Sequence, residues 1–221
     1  MVGVTKFCIH PARVVGGVPK VGGTKQFRFD VINQLRPDLV LGNKEENYRE
    51  GIERLAAQYP IWMSDIYTLA DALSMIRKVG ELTDTSAKAI SLAEIIENGF
   101  TNMIATPTVR VAYFIWRNPW MVAGSHNFID ALLKHCRLTN VFSHLPRYPA
   151  VTEVQLREAQ PDFLLLSSEP YPFTEKHREE LQQLCPEAKV LLVDGEMFSW
   201  YGSRLIQSPA YLTSLLKQIT G

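Results

Sequence analysis

The sequence predicts an α/β protein built from two similar lobes, and three observations carry that expectation. First, two short apolar runs, residues 38–41 and 163–166, each sit behind a Pro-Asp step and are followed by a polar loop, an amphipathic helix, a proline and a second apolar run. Second, these copies lie 124 residues apart, so that LRPDLVLGNKEE falls over AQPDFLLLSSEP. Third, the segment between them is helical in periodicity and has no Gly/Ser/Pro-rich linker. Short, fully apolar strands alternating with helices are the pattern of a parallel sheet whose crossovers cover both faces.

The elements follow in order. Phe29, Ile32 and Leu35 recur at helical spacing, and Pro37 ends that helix. Residues 38–41 form a buried strand, 43–47 a polar loop, and 50–58 a helix with Ile52, Leu55 and Ala56 on one face. Pro60 stops it before a strand at 61–63. Leu69, Leu73, Ile76 and Val79 mark a helix over 69–79, and residues 80–83 interrupt it. Thr83 or Asp84 is placed to cap a second helix reaching Asn102, with Ile90, Ala93, Ile96 and Phe100 apolar. Residues 104–108 then lead into a strand over 109–116. The second copy has a helix at 151–159 capped by Thr152, a strand at 163–166 and a loop at 167–173. A helix at 174–184 follows, stopped by Pro186, with a strand at 190–193 after it. Ser208-Pro209 opens a last helix to Ile219, with proline at a first-turn position.

Composition excludes several classes. The chain has 221 residues, with 23 Lys+Arg against 23 Asp+Glu, so its net charge is zero. Nucleic-acid affinity comes largely from a cationic face, so a nucleic-acid partner is not expected. No apolar stretch approaches the roughly 18–20 residues of a membrane span. Residues 1–5 carry neither the basic nor the apolar region of a secretory signal, and read instead as the end of a strand. The three cysteines, Cys8, Cys136 and Cys185, form no CxxC and no even-numbered framework. His126, His135 and His144 have no zinc-binding spacing, so no metal site is expected. VVGGVPKVGG is glycine-rich without the spacing of a nucleotide loop.

Two lobes leave a cleft between them, and the loops at the C-terminal ends of the strands are expected to line it. Those loops hold unusual residues. Trp116 and Trp120 bracket Arg117-Asn118-Pro119, and large indole faces suit stacking on planar ligands; the plainer reading is a satellite apolar cluster. Trp200-Tyr201 follow Glu196 and Phe198, as cleft wall or as packed lid. Glu169 precedes Pro170-Tyr171-Pro172, where it can meet a ligand or cap the helix that follows. Cys8 and His10 alternate, so in extended chain they share a side. They can touch a metal-bearing ligand, form a Cys–His nucleophile pair, or simply be one packed thiol and one exposed imidazole. Lys44-Glu45-Glu46 and His177-Arg178-Glu179-Glu180 read as solvated faces.

The runs VGVTKFCIHP, VPKVGGTKQFRFDVINQLRPDLVLGNKEEN, IWRNPWMVAG, SSEPYPFTEKH and VDGEMFSWYGSRL together resemble the cobalamin and ferric-siderophore substrate-binding proteins of ABC importers, the helical-backbone metal receptors. The resemblance covers essentially the whole chain and is nearest the cobalamin-binding branch. It implies a class III periplasmic-binding-protein-like fold: two Rossmann-like α/β lobes joined by a long backbone helix, with the ligand between them. On that basis residues 1–68 are the first lobe, 69–105 the connecting helical segment and 106–221 the second lobe. Members begin with one more strand and helix before the segment matching VGVT, so the first lobe is expected to be incomplete. The resemblance puts cleft aromatics at Phe7, Tyr148 and around Trp120, and an acidic cleft residue at Glu196. Thr24 and Asn43 stand where that branch has two further tryptophans. It implies docking on a permease through Asp30 in the first lobe and Glu153 in the second, where Val154 holds the family position. The expected ligand set is therefore Phe7, Cys8, His10, Trp116, Trp120, Tyr148, Glu169, Glu196 and Trp200. The implied role is a non-enzymatic carrier of a corrinoid or ferric chelate, periplasmic or at the cell surface, with no cofactor beyond the metal its ligand contains. The alternatives are a thiol- or metal-dependent enzyme using Cys8 and His10, and a truncated product that binds nothing.

Overall fold

The computed structural model describes residues 1–103 and 109–220. The expected lead-in at 104–108 and the expected lobe boundary at 105–106 lie outside the described residues. The chain divides into two compact units, Met1–Asp65 and Ile66–Gly221.

The first unit contains α1 (Ala12–Val15), β1 (Gly22–Gly23), β2 (Gln26–Phe27), α2 (Phe29–Leu35), β3 (Val40–Asn43), α3 (Arg49–Ala56) and β4 (Ile61–Ser64). Strands β1 and β2 form a small antiparallel hairpin. Gly22 allows it: its φ is +104°, and a Cβ there would stand 2.3 Å from the Gln26 carbonyl oxygen. Helix α2 ends where Arg36 turns left-handed, immediately before Pro37. The βαβ unit β3-α3-β4 is parallel, pairing Val40 with Ile61 and Asn43 with Ser64. Asn43 closes the turn after β3: its Oδ1 accepts from the Glu45 and Glu46 amides, and its Nδ2 donates to Ser64 Oγ. The buried apolar side chains of this unit are Val4, Val15, Ile32 and Leu55.

The second unit opens with α4 (Leu69–Leu82) and α5 (Ser86–Thr101). Thr68 and Asp71 make a reciprocal capping box at the start of α4. The cap of α5 is Thr85, two residues beyond Thr83. Thr83 turns back instead, donating from Oγ1 to Val79 O, and Asp84 takes a left-handed φ of 53°. The connecting segment is thus a pair of antiparallel helices: Gly80 meets Ala89, and Arg77 meets Glu97 at 3.4 Å. A Cβ on Gly80 would lie 2.3 Å from that of Ala89, which explains a glycine in mid-helix.

The remaining elements are β5 (Val109–Trp116), β6 (Met121–Val122), α6 (Phe128–His135), β7 (Leu138–Asn140), α7 (Glu153–Glu158), β8 (Phe163–Ser167), α8 (Glu175–Leu184), β9 (Lys189–Val193), α9 (Glu196–Ser199), a 3₁₀ turn at Ser203–Ile206, and α10 (Ser208–Thr220). Their sheet runs β6-β5-β8-β9, and β7 pairs with the first half of β5. All pairs are parallel except β5 with β6. The sheet of β3 and β4 is separate from it.

Alternate residues of β5 and β8 feed two apolar clusters. Val111, Tyr113, Ile115, Phe163 and Leu165 pack with α4, α5, α6 and α10. Ala112, Phe114, Leu164 and Leu166 pack with Trp120, Leu156, Phe173 and Leu181. A strand covered on both faces has no polar side, which is why these runs are continuously apolar. Because β5, β8 and β9 are parallel, the loops after all three leave the same edge of the sheet.

Candidate functional site

Three loops leave that edge. Trp116, the last residue of β5, is 40% exposed, and its ring meets Tyr171 edge-on at 5.5 Å between centroids. Tyr171 belongs to the loop after β8, and its hydroxyl is 3.1 Å from His177 Nε2 at the start of α8. The same loop carries Glu169. That loop therefore touches Trp116 at one end and, through Glu169, the loop after β9 at the other.

Glu169 is held from a distance of thirty residues. Its Oε1 accepts 2.7 Å hydrogen bonds from Ser199 Oγ and from the Trp200 indole Nε1. Below it, the buried Tyr113 hydroxyl donates to Ser167 Oγ at 3.1 Å, and Ser167 Oγ donates to the Glu169 carbonyl. Burial pushes the Tyr113 phenol far above its ordinary range, so it is a neutral donor at any working pH. Gly195 makes the approach possible, since a Cβ there would stand 2.3 Å from Ser167 Oγ and 2.6 Å from Glu169 Cγ. The capping alternative for Glu169 is corrected: α8 is capped by Thr174 and His177, with Thr174 N 3.0 Å from His177 Nδ1. Glu196, in the first turn of α9, is ion-paired to Arg204, and both side chains are largely buried. The structure thus brings Glu169 and Trp200 into direct contact at the strand ends, while Glu196 is turned to Arg204.

A second group lies on a buried polar anchor. The Arg147 guanidinium is 5.5 Å from the ring centres of both Tyr67 and Tyr148, within cation–π reach. Arg147 has a left-handed φ of 60°. Its backbone is fixed on both sides: its N–H donates to Ser125 O at 2.7 Å, and its carbonyl accepts from Gly124 N at 2.8 Å and Asn127 Nδ2 at 3.0 Å. Asn140 Nδ2 in turn donates to Ala123 O and to Asp130 Oδ1, both at 3.0 Å. Asn127, Asp130 and Asn140 are all buried, so this network replaces apolar packing with directed bonds beneath Arg147 and Tyr148.

Trp120 departs from expectation. It is 6% exposed and fills the second apolar cluster, edge-on to Phe114 and stacked on Phe173 at 6.2 Å. Arg117 closes it off, with its guanidinium 4.1 Å from the ring and its charge paired with Glu180. Its indole therefore has no open face for a ligand. Trp116 ends β5 whereas Trp120 closes the turn that leads into β6, and this accounts for the different fates of two tryptophans four residues apart.

In the first unit, Phe7 is exposed and lies under Lys6 Nζ at 5.0 Å. Residues 5–8 form a turn, with Cys8 N donating to Thr5 O at 3.1 Å. The Cys8 thiol lies against Thr5 Oγ1 at 3.4 Å rather than against the His10 imidazole. Asp30 stands in the first turn of α2 and Glu153 in the first turn of α7, and both are exposed. Glu153 occupies that place with Thr152 as cap, while Val154 beside it is 56% exposed.

Sequence reasoning missed Ser199, Tyr171, Tyr67 and Arg147. The pairing of Ser199 with Glu169 is non-local and leaves no pattern. Arg147 likewise lies in a stretch without periodicity. Among the described residues no cluster of three His, Cys, Asp or Glu side chains could hold a metal ion. Among the described residues no helix is long and apolar enough to cross a membrane.

The sequence matches the family described as periplasmic binding protein over residues 1–184. No curated protein matches it significantly. Among solved structures it is similar to the periplasmic heme-binding protein RhuT from Roseiflexus sp. RS-1. That likeness has a TM-score of 0.84 at 19% identity and covers 100% of this chain and 90% of the other. The vitamin B12-binding protein BtuF of Vibrio cholerae gives a TM-score of 0.77 at 14% identity, over 99% and 89% of the two chains. A structure from the Fe3+-hydroxamate transport system of Saccharomonospora viridis DSM 43017 gives 0.71 at 18%, over 99% and 84%.

Proposed function

The chain belongs to the periplasmic binding protein family, and from that premise we propose that it is the substrate-binding component of an ABC-type importer whose cargo is a metal chelate. The observation that carries this reading is the set of strand-end loops, where half-exposed rings flank a carboxylate fixed in advance. Trp116, Tyr171 and Trp200 offer indole and phenol surface, and Glu169 is locked before any ligand arrives. Such a surface suits a rigid, largely planar chelate, because prior ordering lowers the entropic cost of binding. The likeness to solved heme, vitamin B12 and hydroxamate proteins supports the same ligand class. Tyr148 and residues 7–10, including Phe7, Cys8 and His10, are the further contacts we assign to the ligand.

The protein on this reading performs no covalent step. The contact of the Cys8 thiol with Thr5 Oγ1 supports binding over thiol chemistry, which needs nucleophile and base in hydrogen-bond reach. Asp30 and Glu153, exposed in the first turns of α2 and α7, are the residues we assign to permease docking, in the compartment the family serves, the periplasm or cell surface. Tryptophan fluorescence decides the central claim. Titration with cyanocobalamin, dicyanocobinamide, hemin and ferric siderophores is expected to give saturable quenching with at least one of them and no product. Absence of saturable quenching across this set refutes it.

A further inference from the structure

We propose that Glu169 selects metal chelates bearing N–H donors, as primary amides or an ammonium group, over chelates bearing free carboxylates. This deepens the binding reading above and rests on it. Among the described residues, Oε1 of Glu169 accepts from both Ser199 and Trp200. Among the described residues Oε2 takes no hydrogen bond and no ion pair, and it is not a buried atom. An ionised carboxylate has about four acceptor sites and no donor, so its second oxygen calls for a donor from outside.

The neighbouring cations do not cancel its charge. Arg204 is engaged by Glu196, and Arg117 by Glu180, so the two arginines of these loops are already paired with other carboxylates. A ligand carboxylate brought to Oε2 meets like charge and gains no bond. A ligand amide or ammonium gains a charge-assisted hydrogen bond, which is stronger than a neutral one. The carboxylate is also preset. Ser167 and Tyr113 fix its backbone from the core, and Trp200 fixes its head, so little ordering remains to be done on binding.

The test is an equilibrium titration of the full chain, read by tryptophan emission. The probes are dicyanocobinamide, which carries primary amides, ferrioxamine B, which carries an ammonium, hemin, which carries two carboxylates, and hemin dimethyl ester. A donor-bearing probe is expected to bind more tightly than hemin, and the ester more tightly than hemin itself. Glu169→Gln is expected to weaken the donor-bearing probe on the order of tenfold and to leave hemin unchanged or tighter. The comparison of hemin with its ester uses the wild-type chain, so it stands even if the variant folds poorly. Hemin binding more tightly than its ester and than both donor-bearing probes overturns the selectivity while leaving the binding reading intact. Unchanged affinity in Glu169→Gln does the same. Failure of every probe to bind overturns the binding reading and this inference together.

Discussion

Trp116 and Trp120 stand four residues apart and belong to different environments: the first is 40% exposed against Tyr171, the second 6% exposed against Phe114 and Phe173. The turn between β5 and β6 separates them. One ring therefore presents open surface, and the other is core.

Substitution should divide them cleanly. Trp116→Ala is expected to weaken chelate binding by about 1–3 kcal/mol, with a stability change below about 1 kcal/mol. Trp120→Ala is expected to cost about 3–5 kcal/mol of stability, because it empties a filled core site. Denaturant unfolding and fluorescence titration of both variants check this, and a reversed order would contradict it.

Gly195→Ala probes the support of Glu169. The added methyl would meet Ser167 Oγ at 2.3 Å and Glu169 Cγ at 2.6 Å, so the loop after β8 must shift. Affinity for a donor-bearing chelate should fall as is expected for Glu169→Gln, with a stability cost of about 1–3 kcal/mol from overpacking. Unchanged affinity would show that the position of Glu169 is immaterial.

Asn140→Ala removes a donor to Ala123 O and Asp130 Oδ1 inside the protein. Buried acceptors left without partners should cost about 1–3 kcal/mol. The same change frees residues 123–126, on which Arg147 is seated, so amide exchange at Ser125 and Arg147 should quicken more than at β8. Uniform acceleration would deny the network a local role.

The two units should differ in protection. β8 is buried at every position, whereas in β3 none of the four residues is fully buried. Slow hydrogen exchange tracks buried, well-packed strands. Amides of β3 and β4 are expected to exchange faster than those of β5 and β8, and equal protection would count against this account.

Thiol chemistry gives a test with a pH sign. Burial pushes the Cys136 thiol up to about 12, and raises that of Cys185 as well. In the folded state these thiols keep their protons above the pH at which the unfolded chain releases them. Stability is thus fully present below about pH 9 and falls as pH rises toward 12. With a disulfide reagent at pH 8, Cys8 should react in the native protein, and Cys136 and Cys185 only after unfolding. Fast reaction of all three in the native state would contradict the burial.

Much of the fold was legible because Pro and Gly punctuate it and its central strands have no polar face. Residues 163–166 became β8 (Phe163–Ser167), residues 69–79 became α4 (Leu69–Leu82), and Thr152 caps α7 as its spacing from Gln155 allows. The short β6 and β7 escaped notice, since Met121-Val122 and Leu138-Thr139-Asn140 are too brief to show a period. At the site, sequence reached Glu169, Glu196 and Trp200 as separate strand-end residues, but not that Glu169 and Trp200 share a hydrogen bond. It misplaced Trp120, because apolar character alone does not say which ring of a strand-end turn folds back into the core.

The two-sided burial of β5 and β8 has a consequence for how the sheet finds its alignment. Where one face is wet, a slip of one residue exposes the apolar side and is rejected. Here both faces are dry, so a slip exchanges one apolar cluster for the other with little change in burial. Alignment must be written in polar atoms instead, and they stand at both ends of the pair. At one end the Arg110 amide donates to Asp162 Oδ2 at 2.8 Å, while the Arg110 side chain reaches Ala159 O and Gln160 O. At the other, Tyr113 finds Ser167. These contacts act as registration marks, and the second of them also supports Glu169, so the strand pairing and the aim of the carboxylate are set by the same hydroxyl.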